Sequence, residues 1–159
     1  MATPTARPPA KSASPATQLK TFIAKFAPKH QALLRAVRSA MRKRFPTAHE
    51  IVYDDYNFFV IAYGPTGRPS DCIISIAAGA SGVGLCFLYG AKLKDSDKIL
   101  LGSGNQTRFI RVPSVGVLAQ PAVQRLVDAA ESQSRVPFAA TGRGTLIIKS
   151  VSKKQRPRR

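Results

Sequence analysis

The chain has no tryptophan, two cysteines, two histidines and eight acidic residues among 159. Each scarcity excludes something. Two cysteines, Cys72 and Cys86, cannot build a disulfide framework. Both sit in strand-like runs, where free thiols in a reducing compartment are expected. His30 and His49 lie near no cysteine or second histidine at metal-ligand spacing, so no metal site is expected from them. No apolar run approaches the ~18 residues of a membrane span. Met1 to Lys11 carries bases but lacks the apolar centre of a secretory signal. These absences predict a cytoplasmic protein with no resident metal or cofactor and no membrane partner.

Acid is scarce in place as well as in number. No acidic residue precedes Glu50, although ten lysines and arginines occur between Arg7 and Arg44. From Glu50 to Ile148 all eight acids face nine bases, and Lys149 to Arg159 adds six bases without an acid. The net charge of +17 therefore belongs to the N-terminal segment and the tail rather than to the middle of the chain.

What is present suits one domain with a core large enough to need no disulfide or metal. Residues 1–13, rich in Pro, Ala and Thr, have no periodicity and are expected to be a disordered lead. Ser14-Pro15 offers a helix cap followed by proline at the first helical position. Leu19, Phe22, Ile23 and Phe26 keep helical spacing. Pro28 opens a second helix, whose apolar stripe Leu33, Leu34, Val37, Ala40, Met41 and Phe45 ends at Pro46. Lys20, Arg35, Arg38, Arg42 and Lys43 fall away from the stripe, as a basic solvent face would. Strand-like runs follow at 50–53, 57–63, 72–77 and 83–89, with a short one after the turn at 102–105. Their short links favour antiparallel pairing. Gln120-Pro121 begins a third helix, and Thr145 to Ile148 reads as a last strand. The expected domain, residues 14–148, is α+β, with a curved antiparallel sheet of five or six strands. An N-terminal helix pair and a C-terminal helix pack on it. Residues 149–159 form a basic tail.

One stretch concentrates chemical possibility. Ile99-Leu100-Leu101 runs into Gly102-Ser103-Gly104-Asn105, then into Gln106-Thr107-Arg108. Two glycines permit φ > 0 and an amide nest for an anion, and Arg108 suits bidentate contact with carboxylate or phosphate. No helix pattern follows the loop, so it is neither a Walker loop nor a dinucleotide fingerprint. The structural alternative is a plain turn. Alternation puts Gln106, Arg108, Ile110 and Val112 on one face, with Glu50 a plausible partner for Arg108.

Several of these segments resemble one family. Pro46, Glu50-Ile51-Val52-Tyr53, Asp54-Asp55-Tyr56-Asn57 and Gly102 to Arg108 are similar to the YdhG-like family, also called domain of unknown function 1801. The ending from Leu146 to Arg159 resembles one bacterial subgroup. The resemblance covers about residues 18–159. It implies a small α+β domain without an established enzyme activity. Some relatives have been regarded as frataxin-like iron chaperones.

The candidate site is accordingly a cleft of Glu50, Tyr53 and Asn57 against Gly102, Ser103, Gly104, Asn105, Gln106 and Arg108. It would belong to a non-catalytic module for a small polar or anionic ligand. Asp54 and Asp55 could hold a hard cation if a turn brought them together, or simply bond their own backbone. Ser81 and Ser103 have no elbow motif and no identifiable base, so no enzyme is expected. The basic helix face and the tail are either solvated charge or a weak, salt-dependent contact with nucleic acid. A monomer and a homodimer are both compatible with the pattern.

Overall fold

The computed structural model describes residues 13–159, so nearly all of the expected disordered lead lies outside the described residues. Helix α1, Pro15–Ile23, starts as its sequence dictates: Ser14 Oγ accepts the Thr17 amide, and Pro15 occupies the first turn. Such a cap contributes about 1 kcal/mol. Helix α2, Pro28–Arg44, begins at its own proline and stops just short of Pro46, where a missing amide and a crowded preceding residue disfavour further helix.

Four strands follow: β1 (His49–Asp54), β2 (Phe59–Gly64), β3 (Ile74–Gly79) and β4 (Gly82–Phe87). After a long loop come β5 (Arg108–Arg111), helix α3 (Pro121–Ser132) and β6 (Leu146–Val151). The result is an α+β fold around one six-stranded sheet, ordered β5-β4-β3-β2-β1-β6. Among the described residues no helix is long and apolar enough to cross a membrane.

One pairing differs from the antiparallel expectation. β6 joins β1 in parallel, with Glu50 opposite Leu146, whereas the other four pairings are antiparallel. Short links force antiparallel order only between consecutive strands. β6 arrives after α3 and a loop, a connection long enough for a parallel return.

All three helices lie on one face. Leu19, Phe22, Leu34, Val37, Met41, Val123, Leu126 and Val127 pack against Val52, Phe59, Ile61, Ile74, Ile76, Leu85, Phe87 and Ile110 in a single core. On the opposite face a smaller cluster, Ile51, Ala62 and Cys72, is joined by Tyr53, Leu88 and Ile147. The 64–72 link lies against that cluster because Gly64 has no side chain: a Cβ there would sit 2.9 Å from Cys72 Cα.

The expected tail is docked through its backbone and Arg158, while its other bases, Lys149, Lys153, Lys154, Arg156 and Arg159, are exposed. Its first residues extend β6 to Val151, and the rest lies across the β1–β2 turn as a strap. The Ser152 amide donates to the Asp54 carbonyl at 2.9 Å, and the Arg156 amide donates to the Tyr56 carbonyl at 2.9 Å. The Arg156 guanidinium stands over the Tyr56 ring, 5.6 Å from its centroid. His30 Nδ1 donates to the Arg159 carbonyl. A polar, acid-free sequence suggests solvation, but the carbonyls at the end of the β1–β2 hairpin supply it with acceptors.

Candidate functional site

The structure does not bring the sequence-predicted cleft together. Glu50 on β1 and Arg108 on β5 both face the helices, but three strands intervene. At ~4.8 Å per strand that is about 19 Å. Tyr53 has the opposite parity and lies with the second-face cluster, where burial pushes its hydroxyl pKa up. Asn57 is exposed in the β1–β2 turn.

The glycine loop is also arranged differently from an anion cradle. Leu101 and Phe109 exchange backbone hydrogen bonds of 2.8 and 3.0 Å and close residues 102–108 into an exposed loop. Gly102 alone of its two glycines has positive φ, at 111°. Arg108 Nη1 donates to the Gly104 and Thr107 carbonyls, so the loop turns carbonyl oxygens toward a cation of its own. Ser103 is exposed, and Asn105 and Gln106 line a pocket of about 200 Å³ with Tyr89 and Lys92.

Glu50 has other partners. Its side chain is buried, 8 % exposed, and Arg38 from α2 meets the carboxylate in a fork: Nε to Oε2 at 2.9 Å and Nη2 to Oε1 at 2.9 Å. The Tyr63 hydroxyl donates to Oε2 at 2.9 Å from β2. Arg42 Nε stands 3.8 Å from Oε1. Hydrogen bonding to Glu50 raises the Arg38 pKa above its usual value despite partial burial. Burial, then the Glu50 charge, pushes the Tyr63 phenol well above the usual range, so it remains a donor. The sequence reading put Arg38 on a solvent face. It sits beside the apolar stripe instead, close enough to reach the sheet.

Above this buried network lies a groove of about 650 Å³, lined by Arg35, Arg38, Ser39, Arg42, Lys43 and Arg143 over Glu50, with Phe45, Pro46 and Leu146 as its apolar wall. Among the described residues, five cations against one carboxylate leave four positive charges in one concavity. Arg143 comes from the loop before β6, held there by tight backbone packing. A Cβ on Gly144 would fall 1.9 Å from the Ala48 carbonyl oxygen, so only glycine lets the loop pass there. The Thr145 amide donates to His49 Nδ1 at 3.1 Å, and the Glu50 amide to the Thr145 carbonyl at 3.0 Å.

The other end of β1 is closed. Asp54 has no exposed surface. Lys25 Nζ meets its Oδ2 at 2.6 Å and Arg158 Nη2 its Oδ1 at 3.0 Å. Burial alone would raise the Asp54 pKa, but hydrogen bonds from Lys25, Gln155 and Arg158 outweigh it and hold it below the usual carboxylate value. Asp55 Oδ1 accepts from Ser150 Oγ at 2.6 Å. The two carboxylates do not converge on a cation; cations and hydroxyls of the chain already occupy them. No group of three or more His, Cys, Asp or Glu side chains suited to a metal occurs among the described residues.

Sequence reasoning missed the grouping more than the residues. Arg35, Arg38 and Arg42 follow helical i, i+3, i+7 spacing, which places them on one face. Arg143 gave no signal, because its position depends on a strand pairing made far away in sequence. Comparison with protein-family models, curated proteins and solved structures gives no match.

Proposed function

We infer that the protein is a non-catalytic binding module whose ligand is a small phosphate-bearing anion held in the groove between α2 and the loop before β6. The observation that carries this reading is the convergence of Arg35, Arg38, Arg42, Lys43 and Arg143 on one concavity with Glu50 as its only acid among the described residues. Glu50 spends itself on Arg38 and Tyr63, which fixes the floor and leaves the outer cations to the ligand. Arg42 and Arg143 can present planar forks to phosphate oxygens, and Lys43 a point charge. Ser39 lines the groove without a histidine or an unpaired carboxylate beside it, which supports binding rather than catalysis. The free thiols Cys72 and Cys86 suit a reducing compartment, and we place the module in the cytoplasm. We also propose membership of the YdhG-like family, on the residues of β1 and the glycine loop quoted above.

Titration with tripolyphosphate by calorimetry tests the reading. Binding is expected to weaken at least tenfold in Arg42→Ala plus Arg143→Ala and to stay unchanged in Arg68→Ala, which lies outside the groove. It should also fall with added salt. Equal binding in all three proteins overturns the site. If tripolyphosphate fails and single-stranded oligonucleotides bind with affinity that rises with length, the small-ligand reading gives way to a nucleic-acid interface.

A further inference from the structure

The face of the sheet away from the helices is only partly covered. At its β1–β6 end the 64–72 link packs on it, but from β2 to β5 it lies open. Strand alternation sends Val83, Leu85 and Phe87 of β4 into the core and leaves Gly84 and Cys86 on the open side. The neighbouring strands add Val60, Ser75, Ala77 and Phe109, and Phe58 flanks them, half of its surface exposed. Small side chains in the centre and larger ones at the flanks make a trough of about 430 Å³. That lies within the range of about 300–1,000 Å³ usual for small-molecule pockets.

The trough is not uniformly apolar. Arg111 stands at its rim, exposed, and forms no salt bridge among the described residues. Ser75, 6 % exposed, Thr107 and the exposed Ser81 are the polar residues beside it. An apolar floor with aromatic flanks and one free guanidinium at the edge matches a ligand with an apolar body and a single anionic head. A neutral apolar ligand would leave the guanidinium unused, and a polyanion would find one cation and a floor that cannot solvate its other charges.

We propose that this trough is a second binding site, separate from the basic groove, for a small amphipathic carboxylic acid whose carboxylate pairs with Arg111. Its occupant lies over Cys86, a half-buried thiol, whereas Cys72, which ends the 64–72 link, is fully buried. Alkylation of Cys86 therefore reports occupancy.

The experiment uses the full chain, iodoacetamide, and octanoate or octanol below their aggregation limits, with modification read by peptide mass. Octanoate is expected to slow Cys86 alkylation at least fivefold and octanol by less than twofold. Arg111→Met should erase that difference, and Arg42→Ala plus Arg143→Ala should preserve it, which separates this site from the basic groove. The proposal is overturned if octanoate protects no better than octanol, or if Arg111→Met keeps the preference. Protection that grows with protein concentration without added acid would assign the face to a second copy. Protection relieved by deleting residues 1–12 would assign it to the chain's own N-terminal segment. Protection by phosphatidylglycerol vesicles but not by octanoate would assign it to a membrane surface. Each of these overturns the acid.

Discussion

Glu50 and Asp54 make an instructive pair. They stand four residues apart on β1, both face the helices, both are buried, and both are held by basic side chains. Yet one lies beneath an open groove and the other beneath a closed strap. At Asp54 each carboxylate oxygen meets its own cation, and the Arg158 side chain is 2 % exposed. Those charges are consumed internally. At Glu50 the cations outnumber the carboxylate, and the Arg42 side chain keeps 56 % of its surface exposed. An ion pair that closes on itself contributes structure, whereas one left with surplus charge at a concave surface can contribute recognition.

The contrast can be broken most strongly at its closed end. Asp54→Asn leaves the buried Arg158 guanidinium without its counter-charge, and losing one partner of a buried pair costs about 3–5 kcal/mol. Urea denaturation should show an unfolding free energy lower by that amount, with tripolyphosphate binding retained wherever the variant stays folded. At the open end the loss should be smaller. Arg38→Met leaves Glu50 with Tyr63 and the longer Arg42 contact, and Arg38 is itself a quarter exposed. About 1–3 kcal/mol is expected, together with weaker anion binding, so the same pair of measurements separates the two ends.

Acid titration gives the gentlest test. The folded Asp54 pKa lies below its unfolded value, so the strap's stabilisation is fully present above about pH 4 and disappears as pH falls through the lower folded value. The protection factor of the Arg156 amide, its exchange corrected for the intrinsic rate at each pH, should therefore fall below about pH 4 and stay flat from there to neutrality. A fall in that factor between pH 5 and 7 would show that another group controls the strap.

Much of the fold was legible because local chemistry decides it. Ser14-Pro15, Pro28 and Gln120-Pro121 mark the helix starts, Pro46 marks a stop, and the alternation of β1 to β5 separates the core face from the other. The parallel entry of β6 was not legible, since nothing local specifies the partner of a strand that follows a helix and a loop. The expected site failed for the same reason. Glu50 and Arg108 were paired by complementary charge, but strand order decides distance, and it puts them at separate ends of the sheet. The arginines of α2 were visible as a face, yet their acidic partner could be found only once β1 lay beneath them. Five of the tail's six bases are exposed, and the sixth, Arg158, is buried against Asp54 only because the strap crosses the β1–β2 turn, a placement that nothing local specifies.

The parallel pairing also has a temporal consequence. Glu50 and Leu146 are 96 positions apart (146 less 50), so during synthesis β1 can find β2 long before β6 leaves the ribosome. Contacts of such separation form late because the loop they close is costly in entropy. Until then β1 is an unpaired edge, able to join a neighbouring nascent chain. The basic groove is equally late, since Arg143 reaches its place only with the loop that precedes β6. An incomplete chain therefore carries an adhesive strand and an unfinished binding surface, and the same closing step removes the first and completes the second.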